Sequence, residues 1–468
     1  MKDLSLTLNW LMEQLPGAQR GNGLEALKRR KLAGISTDSR SLKPGEVFVA
    51  LPGENFDGHR HAAEALQKGA LALIVQKKMK GPAAELALKV PDTLKALGDL
   101  ALALRLRQGL KLAAVTGSNG KTGTKEMLAA ILGLMDENIL ATRGNFNNLV
   151  GLPLTLFSLK KAARLAVLEM GMNHFGELSR LTEIARPDVG LITTVGPAHL
   201  EFFGTVSRVA KAKGEIFEGL PPSAVAVVNA DEPLIVREAR RFSGNKLFFG
   251  ASPSAQVRLG RLSLKGLSGQ GFTLYGPGAE KGRAVRLKLL GTHNAHNALA
   301  AAAAALAMGA DWDRIVQGLE SVESFPGRLS LLKLKWGLQV LDDSYNANPG
   351  SMAAGLKVLA EAGGRRPKGA ILGDMGELGA AEGTLHRQMG RLAAGLGLDF
   401  LALVGPQSRL AALAARRAGL NKAAVAEFES PEEAAEWVWR TRPGKSTVLI
   451  KGSRSAHMER AVEYLKNV

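Results

Sequence analysis

Residues 111–135 read KLAAVTGSNGKTGTKEMLAAILGLM, and their succession of strand, glycine turn and helix sets the fold. Lys111 to Thr116 is an apolar strand-like run, and from Lys121 to Met135 apolar residues return at helical spacing. Between them Gly117, Ser118, Asn119, Gly120, Lys121, Thr122 and Gly123 form a glycine-rich turn at a helix start. Such glycines let backbone N–H groups turn inward around a phosphate, and the helix N-terminus adds positive potential. Lys121 can then reach terminal phosphates, and the Thr122 hydroxyl can ligate Mg2+. The spacing G-x-x-G-K-T is two residues shorter than the general phosphate-loop pattern. A GKT triplet alone is a weak signal; the strand before it and the helix after it turn it into a phosphate-binding expectation.

Outward from this stretch, apolar strand-like runs alternate with helical ones, the pattern of α/β layers with largely parallel sheets. Expected strands are 47–51, 72–75, 166–170, 190–195, 224–229, 339–342, 370–372, 400–404 and 447–450, and a long helix is expected over 295–308. Residues 247–290, rich in Gly, Ser and alternating side chains, read as short antiparallel strands packed on a second domain. Boundaries fall near Leu106 to Gly109 and near Ser324 to Arg328, where FPGR breaks a helical run. The 468 residues therefore divide into domains at 1–108, 109–324 and 325–468.

Composition narrows the chemistry. With no cysteine, disulfide scaffolds, thiolate zinc sites, iron-sulfur clusters and cysteine nucleophiles are excluded. The N-terminus carries Asp3 and Glu13 and lacks the form of a signal peptide. The longest apolar run, Ala298 to Ala310, is shorter than the roughly 18 residues that span a bilayer. A cytoplasmic protein without membrane insertion is expected. The formal charge of +18 is the unusual quantity, but each of the three segments carries +6 of it. Nucleic-acid binding concentrates charge in one arm, stripe or domain, so even spreading argues against a nucleic-acid-dependent ATPase, as do aromatics at 5%.

Further candidates follow the loop in order. Glu169, in VLEMGMNHFGEL, ends the next strong strand, where a carboxylate beside a phosphate loop can hold Mg2+. His199 lies in TTVGPAHLEFFG and Lys213 in VAKAKGEIF. Singly each is an ordinary structural or surface residue; together, in this order, they point to a catalytic site.

The joint occurrence resembles the Mur ligases, ATP-dependent amide-forming enzymes that build the peptide stem of bacterial peptidoglycan. The likeness covers nearly the whole chain. It runs through STDSR and PGEVFVALPGENFDGHRHAAEALQKGA in the first segment, and through TGSNGKTGTKEM, GNFNNLVGLPLTL, EMGMNHFGEL, GPAHLEFFGTVSRVAKAKGEIF and GTHNAHNALAAAAAAL in the second. PGR, LDDSYNANPGSM, LGDMGELG and LIKGSRSAHME follow in the third. It implies a small N-terminal α/β uridine-nucleotide-binding domain, a central P-loop-type ATPase domain with a mostly parallel sheet, and a C-terminal Rossmann-like domain. Thr37, Ser39 and Arg40, with the Gly53, Glu54 and Asn55 turn, would face the UDP part of the substrate. Residues 117–123 would cradle ATP phosphates. Thr122 and Glu169 would hold one Mg2+; His199 and Lys213 would serve a second, Lys213 as a carbamate formed with CO2. Asn147, Asn148, Asn173 and His174 would line the substrate channel. Asn294 and Asn297 would approach adenine, and Arg328, Asp343, Asn346 and Pro349 would close on the nucleotide.

Contrasts within the family select the reaction. Ligases that add the second stem residue carry a lysine shortly after the Asp-Ser of the third domain, where DDSYNAN has Tyr345. The DNPR string of diaminopimelate-adding ligases does not occur. Folylpolyglutamate synthetases share the loop but lack the DSR and DDSYNAN segments. The resemblance therefore implies addition of D-alanyl-D-alanine to a UDP-N-acetylmuramoyl-tripeptide through an acyl phosphate. A monomer is expected, although no feature of the sequence decides it. Another amino-acid-adding Mur ligase is the nearest alternative. Retention of Lys121, Thr122, Glu169, His199 and Lys213 argues against an inactive uridine-nucleotide-binding relative.

Overall fold

The computed structural model describes residues 4–53, 56–362, 366–441 and 444–468; Glu54 and Asn55, assigned above to the uridine side, lie outside them. The described residues form three sheets of five, nine and six strands, each with helices packed against it. The α/β architecture in three units is the one the sequence implies.

The first sheet has the order Gln19–Arg20, Ala87–Lys89, Ala72–Val75, Glu46–Val49, Gly34–Ser36. It is parallel except for its first strand, which runs against Ala87–Lys89. Ala72–Val75 is buried throughout, as a central parallel strand covered on both faces should be. Helix Thr93–Gln108 ends in the left-handed Gly109 and leads into the second unit. Its Arg105 is buried and donates to Ala185 O at 2.9 Å and to Arg186 O at 3.1 Å, fastening the first unit to the second.

The second sheet is parallel in the order Leu140–Ala141, Leu165–Glu169, Lys111–Thr116, Val189–Ile192, Val225–Asn229, Asn245–Gly250, Val257–Leu264. Gln270–Gly276 and Ala279–Leu287 then continue it antiparallel. This corrects the reading of 247–290: its first strands lie parallel and extend the central sheet itself. Alternation marks a half-buried strand but says nothing of direction. Past the end of Asn245–Gly250, Asp231 accepts from the N–H groups of Ala251 and Ser252 at 2.7 and 2.8 Å and holds the connection to Val257–Leu264. Helix Thr292–Met308 crosses this sheet with Ala298 and Ala300 to Ala305 all buried. A helix apolar nearly all round belongs in a core, and its alanines bring its axis close to strand and helix neighbours.

The third sheet has the order Ser330–Lys333, Gln339–Asp343, Thr447–Lys451, Lys368–Gly373, Phe400–Val404, Val425–Phe428. Only its first strand is antiparallel to its neighbour. The strand Thr447–Lys451, late in the chain, sits between two earlier ones. In open parallel sheets, ligands bind beyond the carboxyl ends of strands near such reversals of order. Lys111–Thr116 and Leu165–Glu169 of the second sheet, and Gln339–Asp343 and Thr447–Lys451 of the third, all deliver residues from their carboxyl ends to one cavity.

Candidate functional site

The glycine turn is tied down before it meets any ligand. Ser118 N–H donates to Thr194 O at 2.8 Å, Asn119 N–H donates to Thr194 Oγ1 at 3.1 Å, and Thr193 Oγ1 donates to Asn119 O at 2.5 Å. The loop is thus moored to the chain leaving the neighbouring strand Val189–Ile192. Gly120 has φ +81°, and a Cβ there would lie 2.2 Å from Asn297 Oδ1; both conformation and space demand glycine. Gly120 is also the N-cap of helix Lys121–Gly133 and brings no side-chain oxygen to it, which leaves first-turn N–H groups for an anion. Lys121 Nζ donates to Gly117 O at 2.7 Å. Burial holds its ammonium below the usual lysine value, opposed by the Glu169 charge and reinforced by Arg328.

Glu169 is buried at its strand end, with Oε2 accepting from Thr122 Oγ1 and Oε1 from Asn147 Nδ2, both at 2.9 Å. Asn147 therefore orients the carboxylate, and Thr122 and Glu169 present an edge of oxygens beside the phosphate turn. His199 has φ +57° and opens the short helix Leu200–Phe203. Lys213 sits in helix Val206–Glu218, where it is buried. Burial drives its amine well below the usual lysine value, and repulsion from Lys121 adds to the effect. Among the described residues no three His, Asp or Glu side chains cluster closely enough to hold a metal ion by themselves. Mg2+ takes one or two carboxylates and completes its octahedron with phosphates and water, so the Thr122 and Glu169 edge fits it.

The opposite wall comes from the third sheet. Asp343 is buried against Lys451 Nζ at 2.6 Å, and the same ammonium donates to Asn346 O at 2.9 Å. Burial pushes the Asp343 carboxyl up, and Lys451 opposes it. Arg328 lies over the Tyr345 ring at 4.3 Å, a cation–π contact that aims the guanidinium. Asn348 Nδ2 donates to Asn119 Oδ1 at 2.8 Å, clasping the glycine turn from across the cavity. Asn294 and Asn297 enter from the start of helix Thr292–Met308, with Asn297 Nδ2 donating to Asn294 Oδ1 at 3.0 Å. The cavity between the two walls is open to solvent on one side and measures about 1290 Å3.

Of the residues singled out in the sequence, Ser118 to Gly123, Asn147, Asn148, Glu169, Asn173, His199, Asn294, Asn297, Arg328, Asp343 and Asn346 border this one cavity. Gly117 and Pro349 lie outside the lining, Gly117 packed against Thr193 and Pro349 opening helix Pro349–Ala362. Asn148 also steadies the entry to helix Gly151–Phe157, its Oδ1 accepting from Gly151 N–H at 2.8 Å. His174 lies outside the lining, its ring against Phe202 at 5.3 Å. Thr37, Ser39, Arg40 and Gly53 sit apart on the first unit. There Ser39 is buried with its hydroxyl donating to Glu64 at 3.0 Å. Arg40 is exposed and grips Asp38 through two nitrogens, which holds the Asp38 carboxyl down at about 2. The sequence reading assigned no role to Asn348, Glu377 or Lys451, although each stands in a segment it quoted.

A cavity between two mostly parallel sheets, roomy enough for a nucleotide and a second substrate, with a phosphate turn on one side and Arg328 and Asp343 on the other, is laid out as a nucleotide-dependent transferase or ligase site. Three sequence models match the chain: Mur ligase family, catalytic domain, at residues 31–105; Mur ligase middle domain at 115–305; and Mur ligase, glutamate ligase domain, at 327–454. The chain belongs to the Mur ligase family. It is 39% identical over 467 residues to the UDP-N-acetylmuramoyl-tripeptide–D-alanyl-D-alanine ligase of Escherichia coli strain K12, covering 99% of both chains. The enzyme of the same name from Bacillus subtilis strain 168 is 34% identical over 92% of this chain and 93% of its own. Among solved structures, a MurF from Acinetobacter baumannii superposes with a TM-score of 0.86 at 34% identity, covering 99% of each chain. The MurF ligase of Thermotoga maritima in complex with ADP gives 0.82 at 28% identity, covering 93% of this chain and 97% of its own.

Proposed function

We infer that this chain is the ATP-dependent ligase that joins D-alanyl-D-alanine to UDP-N-acetylmuramoyl-tripeptide, forming the pentapeptide precursor of peptidoglycan. The observation that carries this is the meeting of Lys121, Thr122, Glu169 and Arg328 around one cavity in a chain alike from end to end to ligases of that reaction.

A carboxylate is a poor electrophile, so the peptide carboxylate first takes the γ-phosphoryl group of ATP, releasing ADP. The dipeptide amine then attacks the acyl carbon, phosphate leaves, and the amine gives up a proton. Phosphoryl transfer is mostly a matter of positioning and charge stabilisation. Lys121 and the N–H groups at the start of its helix hold the terminal phosphates, and Arg328, aimed by Tyr345, meets the developing charge. Thr122 and Glu169 would hold Mg2+, which when bound neutralises phosphate charge. Asn294 and Asn297 face adenine, and Asp343, Asn346 and Pro349 shape the nucleotide's other side. Acyl phosphates hydrolyse, so water must be kept out; the Asn119 to Asn348 clasp keeps the third unit over the loop.

We propose further that Lys213 is carbamylated and, with His199, serves a second cation. Its buried, neutral-leaning amine is the form that attacks CO2, making a C–N bond and releasing a proton. Asn147, Asn148, Asn173 and His174 would guide the peptide, and Thr37, Ser39, Arg40 and the turn at Gly53 the UDP part. The domain division at 1–108, 109–324 and 325–468 is supported by the three family segments and by Gly109 ending its helix. The working protein is taken as a cytoplasmic monomer; no helix among the described residues is long and apolar enough to cross a membrane. Phosphate release from ATP should require the UDP-linked tripeptide and D-alanyl-D-alanine together. Release driven by DNA or RNA without them would overturn the assignment.

A further inference from the structure

The segment LGDMGELG begins in the last two residues of strand Lys368–Gly373 and has no part in the mechanism above, yet it reaches the cavity through Gly376 and Glu377. Glu377 has φ +60° and His199, on the second unit, φ +57°. A left-handed backbone crowds the Cβ of any non-glycine residue, and such strain persists only where surrounding contacts enforce it. Those contacts are present. Glu201 N–H donates to Glu377 O at 3.1 Å. Gly379, at φ +54°, lies so close that a Cβ there would stand 3.1 Å from Glu201 Cα. The two strained residues meet by their side chains, with His199 Nδ1 2.6 Å from Glu377 Oε2. That nitrogen is buried and makes no well-angled hydrogen bond with any described residue, so the facing carboxylate is its nearest partner. The imidazole, with Lys121 beyond it, holds the Glu377 carboxyl below its usual value.

We propose that Glu377 is the positioning residue for His199: the third unit supplies the carboxylate that sets the imidazole of the second, so the cation site served by His199 is finished only when the two units meet. With Nδ1 turned to the carboxylate, Nε2 is the ring nitrogen left for a cation or phosphate oxygen. Carboxylates that orient ligating histidines in this way are typically worth 10- to 100-fold in metal affinity or activity. The pair also explains why a glutamate accepts a left-handed backbone where glycine would sit without strain: the side chain is needed at that spot. This inference rests on the reading of His199 as a cation residue.

The test uses full-length enzyme with ADP and Mn2+ as the probe, following bound Mn2+ by electron paramagnetic resonance. Glu377→Ala should weaken Mn2+ binding about 10- to 100-fold and lower kcat by a similar factor, while KM for ATP stays close to wild type. Glu377→Gln, which keeps an oxygen acceptor for Nδ1, should recover most of both. Unchanged Mn2+ affinity in Glu377→Ala, with His199→Ala weakened, would overturn the positioning role and leave His199 as a cation residue. Unchanged affinity in His199→Ala would instead remove the reading on which the inference stands. Loss in Glu377→Gln as deep as in Glu377→Ala would also count against it, since the acceptor would then be irrelevant.

Discussion

The two walls of the cavity are built in different ways. On the second unit, chemistry is carried by the backbone and by strand ends: the glycine turn is moored to Thr193 and Thr194, and Glu169 is held from two sides by Thr122 and Asn147. On the third unit, side chains reach across a gap: Asn348 to Asn119 and Glu377 to His199, with Arg328 braced on Tyr345. A wall of the first kind is preorganised whatever the other unit does. A wall of the second kind contributes only when the units are together. On the proposed reading, phosphate holding belongs to the second unit, while closure over the nucleotide and commitment to reaction belong to the pair.

The most severe way to probe the comparison is at the preorganised wall. Lys121→Ala should cut kcat by about 10²–10³-fold or more, the scale for removing a group that stabilises transition-state charge, with secondary structure by circular dichroism unchanged. A variant that keeps a tenth of wild-type turnover would mean the phosphates are held from the third unit instead. Lys213→Ala should lose most activity and regain part of it with added small carboxylates. An absent 13C-carbamate signal after 13CO2 labelling of the wild type, together with failed rescue, would leave that lysine a purely structural amine.

Milder effects belong to the bridging wall. Asn348→Ala removes one neutral hydrogen bond, worth about 1 kcal/mol, so KM for ATP should rise roughly fivefold while the isolated affinity for UDP-linked peptide stays put. A KM identical to wild type would show that the clasp holds nothing. The smallest effect is a pH dependence. His293, on the second unit near Lys451 of the third and His296 of its own helix, is pushed down to about 4 by burial. The unfolded chain therefore takes up a proton near the ordinary value of 6.5 before the folded chain does. This residue's part of the stability is complete above about 6.5 and is lost as pH falls toward about 4. The melting temperature of His293→Gln should thus fall less between those pH values than that of the wild type, and parallel curves would contradict the assignment.

The same contrast explains what was legible in the sequence. The phosphate turn could be read because strand Lys111–Thr116, the glycines and helix Lys121–Gly133 follow one another directly in the chain. Glu169 could be read because it ends an apolar strand. Strand positions such as Ala72–Val75 and Phe400–Val404 follow directly from runs of apolar residues. By contrast Asn348 finds its partner 229 positions away in the chain, and nothing local in LGDMGELG says that Glu377 faces His199. The parallel course of Asn245–Gly250 and Val257–Leu264 was hidden for a related reason: they pair only through Phe249 with Val257 and Gly250 with Arg258. Ser39 shows the converse case, a residue picked out by its motif whose hydroxyl is already engaged by Glu64.

The central step of the proposed reaction is transfer of the γ-phosphoryl group to the peptide carboxylate before the amine attacks. The direct measurement uses UDP-N-acetylmuramoyl-tripeptide carrying 18O in its terminal carboxylate, with ATP and D-alanyl-D-alanine, and mass analysis of the released phosphate. Phosphate carrying the label, formed in step with the pentapeptide product, is the predicted result. Unlabelled phosphate accompanying the same product would contradict it.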